Sequence, residues 1–283
     1  MLYNLKDIIQ IGSEKGYAIA AFNIFGYEDA VAVVEAAEEL DRPVILMANR
    51  DAIEHMSVDI ISDIMIKLAK KAQVPVCVHL DHAIHVEAIK DAIDAGFTSV
   101  MFDGSQLPFE ENVAITKEVV AMAHAKNISV EAEIGAVGYS DPKIDFSPMY
   151  TEPEQAKEFA ELTEVDALAV AVGTVHRMVT QNACLQFDRL KKIKEMVSTP
   201  LVIHGSTGVA DEDLVKLVKC GVRKINLGTT LRLAFGNTLR EQFKQDPKEF
   251  DRIKLFKKCM VVVKETAKEK IKLLSFKEED IVV

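Results

Sequence analysis

VPVCVHL (residues 74–80) carries one clearly polar side chain, His79, in seven positions. A strand with one wet face alternates apolar and polar residues; a run this apolar is buried on both faces, the habit of parallel sheets. Seven more runs of the same kind recur along the chain: AIAAFNI (18–24), PVILMA (43–48), SVMFDG (99–104), SVEAEIG (129–135), ALAVAVGT (167–174), PLVIHG (200–205) and KINLGT (224–229). Amphipathic spacing between them predicts helices over 28–40, 58–72, 86–95, 112–126, 153–163 and 212–220. Eight strands alternating with helices predict an α/β fold, a (β/α)8 TIM barrel with a C-terminal helical extension, as a single domain over 1–283. A doubly wound sheet is the alternative, but no GxGxxG follows the first run and eight repeats suit closure.

Composition narrows the function. There are 34 Lys and Arg against 44 Asp and Glu, a net charge of −10, which argues against nucleic acid as a partner while leaving room for a local basic phosphate pocket. Aromatic residues make up 6% with no Trp, a poor basis for stacking on bases or sugars. Cys77, Cys184, Cys220 and Cys259 lie far apart with no CxxC, so neither a cysteine zinc site nor a disulfide framework is indicated. Cys77 reads as a small buried hydrophobe. The opening MLYNLKDIIQ carries Asp7 early and does not read as a secretory signal. No apolar stretch reaches the roughly 18 residues that cross a membrane, and a reducing cytoplasm is the expected setting. The tail Lys244–Lys277 mixes Lys and Glu at helical spacing, as solvated helix faces do. The stretch Val137–Thr151 is the longest loop and sits where a barrel would carry a lid.

Barrels gather their chemistry at the C-terminal ends of their strands. Those ends hold Asn23, then His79-Leu80-Asp81-His82, Asp103-Gly104-Ser105, Glu131 with Glu133, and Gly173-Thr174-Val175-His176. His204-Gly205-Ser206-Thr207-Gly208 and Asn226-Leu227-Gly228-Thr229-Thr230 close the series. Four of the seven histidines fall at three of these ends. His82, His176 and His204 come from separate strands, and three neutral imidazoles with an open fourth position make a catalytic zinc site. His79 lies on the side of Asp81 but deeper, and is expected to be structural. Asp81 suits proton exchange with a metal-bound substrate or, alternatively, the orienting of a histidine. Asp103 and Glu133 suit second-layer contacts, another metal position, or plain buried acids. The small and hydroxyl residues after the seventh and eighth runs suit a phosphate at a helix N-terminus. No strand end offers a lysine for an imine; Lys224 starts the eighth run and is expected to face the opposite end.

Together these pieces resemble the class II, zinc-dependent ketose-bisphosphate aldolases, in the tagatose and fructose 1,6-bisphosphate branch. The resemblance spans nearly the whole chain. It rests on HLDH (79–82), DGS (103–105), VEAEIG (130–135), VDALAVAVGTVH (165–176), PLVIHGSTG (200–208) and KINLGTT (224–230). It implies zinc on His82, His176 and His204, with Asp103 and Glu133 at an alternative metal position. It implies proton transfer by Asp81 at the hydroxyl of the carbon released as aldehyde. It implies that Asn23, Gly205, Ser206, Thr207, Asn226, Gly228 and Thr229 hold the substrate and its phosphate. It further implies dihydroxyacetone phosphate as one product, a monovalent cation near the phosphate, a homodimer or homotetramer, and an accessory non-catalytic subunit.

The chain also departs from the family pattern. Arg177 stands where a glycine usually follows the sixth-strand histidine, as a guanidinium clamp or as a block. Asn49 replaces a Ser or Thr, and Met260 falls where many members carry a distal arginine; the strand-five loop reads Gly138-Tyr139-Ser140-Asp141 where the family has Gly-Gly followed by acids, with Asp141 as the candidate to assist proton transfer. These leave open an aldolase for a different phosphorylated substrate, a zinc hydrolase on the same barrel, and a non-catalytic subunit that kept the fold.

Overall fold

The computed structural model describes residues 1–140 and 148–276. Asp141 and part of the expected lid lie outside the described residues, as does Lys277 of the tail.

Each apolar run forms a strand. They are β2 (Ile19–Asn23), β3 (Val44–Ala48), β4 (Val76–Ala83), β5 (Ser99–Phe102), β6 (Ser129–Ile134), β8 (Ala167–Val170), β10 (Leu201–Ile203) and β11 (Val222–Leu227). All pair in parallel in the order β2-β3-β4-β5-β6-β8-β10-β11, and β11 returns to β2, so the sheet closes. Closure leaves no exposed sheet edge. The helices between them are α2 (Tyr27–Leu40), α3 (Arg50–His55), α4 (Val58–Lys71), α5 (Val86–Asp94), α6 (Phe109–His124), α7 (Pro153–Thr163), α8 (Phe187–Met196) and α9 (Asp211–Lys219). This is the expected TIM barrel. Two short pairings add to it: β1 (Leu2–Tyr3) lies along β4, and β7 (Gly138–Tyr139) pairs with β9 (Val175–His176).

Period two sorts the strand residues into two layers. Leu46, Val78, Val100 and Leu168 face outward into the apolar layer under the helices. Ile19, Ala21, Ile45, Met47, Cys77 and Met101 face inward and fill the lower barrel. Helix α1 (Leu5–Lys15) caps that end with Leu5, Ile8 and Ile9. Its start is fixed by Asn4, whose side chain accepts from the Asp7 N–H at 2.8 Å. Further up the same interior the residues turn polar: His79, Glu131 and Lys224 are all fully buried. The floor is therefore dry and the chemistry is confined to the upper half.

Helices α10 (Thr229–Gln245) and α11 (Arg252–Leu274) form the C-terminal extension. Leu255, Cys259, Val263, Ala267 and Ile271 form one buried stripe of α11 at helical spacing, and the helix packs on α2 and α10. Lys257, Lys258, Glu265, Glu269 and Lys272 are exposed, whereas Lys264 and Lys268 pair with Glu35 and Glu39 of α2 and Lys270 with Asp211 of α9. Among the described residues no helix is long and apolar enough to cross a membrane.

Candidate active site

Asp81 and His82 are neighbours in sequence, so plain alternation would send them to opposite faces of β4. A β-bulge prevents this. Leu80 pairs with Val100 and Ala83 with Phe102, so Asp81 and His82 together oppose Met101 alone. His82 takes up the extra residue with φ +54°. Both side chains line one cavity of about 550 Å³ at the mouth of the barrel. That volume is ordinary for a small-molecule site.

His82, His176 and His204 converge there, with one ring nitrogen of each within 4.8 Å of the others. Nitrogens bound to zinc at about 2.0–2.1 Å sit ~3.3 Å apart. His82 Nε2 and His204 Nδ1 are 2.8 Å apart, so this pair needs to part by only about 0.5 Å. Two of the rings are oriented from behind by acids: His82 Nδ1 meets Asp103 Oδ2 at 2.7 Å, and His204 Nε2 meets Glu131 Oε1 at 2.8 Å. Each acid fixes one ring nitrogen and turns the other toward the shared point. Burial, and then repulsion from His82, hold His176 and His204 well below the usual histidine range, as neutral imidazoles. Burial also opposes charge on His82, but Asp81, Asp103 and Glu133 outweigh it and push the ring up to about 10. That acidic surround favours a cation, and the donor set fits zinc.

Asp103 is buried, which alone would raise its carboxyl. The hydrogen bond and charge of His82, with the Ser105 hydroxyl and N–H, hold it well below the carboxylate range. Glu133 goes the other way: burial, then repulsion from Asp103, push it up to about 8. One of its oxygens accepts from the Val137 N–H at 3.0 Å, and the other has no hydrogen-bond partner among the described residues. His82, Asp103 and Glu133 also bring ligand atoms within 4.8 Å of one another, so the second constellation is assembled as well.

Asp81 is held by two amides: Asn226 Nδ2 donates to one oxygen at 3.0 Å and Asn23 Nδ2 to the other at 3.2 Å. Asn226 is itself fixed, because its Oδ1 accepts from Lys224 Nζ at 2.6 Å. Here the sequence expectation is corrected. Lys224 does not point to the opposite end: its long stem runs up the barrel interior and its ammonium meets Glu131 at 2.8 Å. Four methylenes reach what the backbone position does not. The ammonium is committed to these two partners and does not line the cavity. His79 is buried as expected, bonded to Ser99 Oγ at 2.8 Å.

The remaining predicted residues line the cavity beside this floor. Gly205 has φ +67°, and a Cβ there would come within 2.7 Å of the Val175 backbone, so the Ser206–Gly208 turn lies directly against the sixth-strand end. Ser206 gives its hydroxyl to the Asn226 carbonyl, and Thr207 bonds Thr230 at 3.0 Å. Gly228 caps α10, where a Cβ would crowd Asn23 Nδ2 at 3.2 Å, and Thr229 opens the helix. Arg177 has a left-handed backbone, φ +58°. Asn49 N-caps α3, accepting from the Ala52 N–H at 3.1 Å, so its exchange for Ser or Thr stays within the residue types that cap. Met260 lies on α11 and does not line the cavity.

Sequence reasoning missed much of the rim. Phe25, Arg50, Asp51, His85, Tyr139 and Arg232 also line the cavity, with Tyr139 stacked on His176 at 4.8 Å between ring centres. Tyr139 stands on the two-residue β7 and the others on helix starts and loops, where no strand periodicity points to them. Only helix register, placing Arg232 one turn past Thr229, offered a signal.

Comparison with known proteins agrees with this geometry. The class-II fructose-bisphosphate aldolase family profile matches residues 3–279. A fructose-bisphosphate aldolase of Staphylococcus aureus (strain Mu50) is 39% identical over 277 residues, 96% of each chain. The crystal structure of the YdjI aldolase from Escherichia coli K12 superposes with a TM-score of 0.86 at 36% identity, covering 99% of this chain and 100% of that one. A putative fructose-1,6-biphosphate aldolase from Coccidioides immitis gives 0.87 at 26% identity, covering 98% and 97%.

Proposed function

The chain belongs to the class II fructose-bisphosphate aldolase family of metal-dependent carbon–carbon lyases, and on that premise we propose that it is a zinc enzyme acting on a phosphorylated ketose of the fructose or tagatose 1,6-bisphosphate type. The products are dihydroxyacetone phosphate and an aldehyde such as glyceraldehyde 3-phosphate. The observation that carries this reading is Asp81, gripped by two amides beside the convergent His82, His176 and His204.

His82, His176 and His204 would hold zinc, which when bound would supply Lewis-acid charge at the ketose carbonyl. Asp81 exchanges the proton of the hydroxyl on the carbon that leaves as aldehyde; Asn23 and Asn226 keep its carboxylate aimed for that transfer. Asn23 also offers an amide oxygen with no partner among the described residues for a substrate hydroxyl. The phosphate sits against Gly205, Ser206 and Thr207 and the start of α10 at Gly228 and Thr229, with Arg177 and Asn226 beside it. N–H groups and the dipole of the seventeen-residue α10 favour an anion there. Lys224, tied to Glu131 and Asn226, is not a free amine for an imine, which supports metal over Schiff-base chemistry. Residues 1–283 act as one cytoplasmic domain in a homodimer or homotetramer. A monovalent cation near the phosphate and an accessory subunit complete the reading.

The test is release of dihydroxyacetone phosphate from tagatose and fructose 1,6-bisphosphates and ketose 1-phosphates, each with a chelator control. Release that stops with chelator and returns with zinc is the expected result, and the preferred ketose identifies the substrate. No release from any ketose by zinc-loaded protein overturns the proposal.

A further inference from the structure

We propose that Asp51 is an internal stand-in for the substrate's phosphate: it holds the anion position between Arg177 and Arg232 at the rim, and the incoming phosphate displaces it and takes both guanidinium groups. This rests on the phosphate placement given above.

One carboxylate oxygen, Asp51 Oδ2, meets Arg177 at 3.1 Å and Arg232 at 3.4 Å. The two arginines come from different elements that border the phosphate cradle. Arg177 follows Val175-His176, whose backbone lies against Gly205. Arg232 stands three residues after Thr229 in α10. Asp51 comes from elsewhere, the first turn of α3. Its contacts are therefore bridges across the mouth rather than part of the cradle.

Three features favour exchange over a fixed clasp. All three side chains are about half exposed, at 42%, 45% and 51%, and water-exposed pairs are weak, worth about fivefold or less in an equilibrium. A phosphate dianion offers more charge and more acceptor oxygens than one carboxylate, and guanidinium binds it in a bidentate way. Arg232 is braced over the Phe25 ring at 4.6 Å, so its head stays in place when its partner changes. Arg177 holds a left-handed φ of +58°, a conformation costly for a long side chain. Arg50, Arg177 and Arg232 gather at the rim beside Asp51, while the other acids of the lining, Asp81 and Asp103, are buried below them.

The experiment is titration calorimetry of the zinc-loaded full chain with glycerol phosphate, and with glycerol as uncharged control, at one fixed ionic strength. Removing the competing carboxylate in Asp51→Asn is expected to tighten glycerol phosphate by about three- to fivefold. Arg177→Ala and Arg232→Ala are each expected to weaken it by about tenfold. Glycerol binding should not respond. Asp51→Ser repeats the test if the amide variant misfolds by circular dichroism. Unchanged or weaker binding in the Asp51 variants, with wild-type binding intact, overturns the exchange alone and makes Asp51 an anchor for the arginines. Wild-type protein that binds no glycerol phosphate overturns the exchange and the phosphate cradle together.

Discussion

Replacing Glu131 by glutamine should cost the metal-free protein about 3 kcal/mol of stability. Glu131 is fully buried between the Lys224 ammonium and the His204 ring, each at 2.8 Å. The substitution keeps the shape and one acceptor oxygen but removes the charge. Lys224 is then left as a buried cation whose other close partner is a neutral one, Asn226 Oδ1. Breaking a buried pair from one side costs about 3–5 kcal/mol, and the retained amide oxygen puts this case at the low end. Lys224→Met breaks the pair from the other side at similar cost. The double variant removes both charges together and should lose less than the sum, with a coupling of about 2 kcal/mol. Urea unfolding followed by circular dichroism, with chelator present, measures all three variants against wild type. Zinc affinity, measured by competition with a chromophoric chelator, should fall about 10–100-fold in Glu131→Gln, because His204 loses the acid that orients it. A Glu131→Gln midpoint within about 1 kcal/mol of wild type at unchanged slope, or strict additivity in the double variant, would refute the reasoning.

Three further outcomes follow from the same geometry. Asp81→Asn should lower kcat by about 10²–10⁴ with zinc content intact, since the histidines keep their own acids; steady-state kinetics beside metal analysis checks both. Arg177→Gly relieves a left-handed φ worth about 1 kcal/mol and should raise Tm by about 2 °C while raising KM for the phosphorylated ketose. Asp29 is pushed up to about 6 by burial, against the pull of its bond from the Phe25 N–H. The folded chain therefore takes this proton more readily than the unfolded chain. The group's contribution is most favourable below about pH 4 and falls as pH rises toward about 6. Asp29→Asn should therefore gain about 1 kcal/mol at pH 7, allowing for its partial exposure, and flatten the thermal-stability profile between about pH 4 and 6. Loss of stability at pH 7 would contradict this.

The eight strands were legible because burial on both faces leaves an unbroken apolar signature, and VPVCVHL shows it as clearly as any. The metal triad was legible because histidines at the ends of separate strands have few reasons to be there. What the residues did not announce was how Asp81 and His82 reach one cavity, since a bulge depends on pairing with β5 and leaves no local mark. Lys224 was misjudged because strand position locates a backbone, while a lysine ammonium acts several ångströms away. Asp51 and Arg232 went unnoticed because a rim is built by the meeting of α3 and α10, elements distant in sequence.

The plug formed by α1 and the inward layer of Ile19, Ile45, Met47, Cys77 and Met101 makes the barrel a blind well. Among the described residues, the cavity at the barrel mouth is the way to the histidines. Traffic is thus last in, first out: a molecule seated over the floor stands in the path of whatever lies beneath it. Zinc should escape to a chelator more slowly from protein holding a sugar phosphate than from protein without one. The order of loading is also constrained, with the ion going in before the sugar.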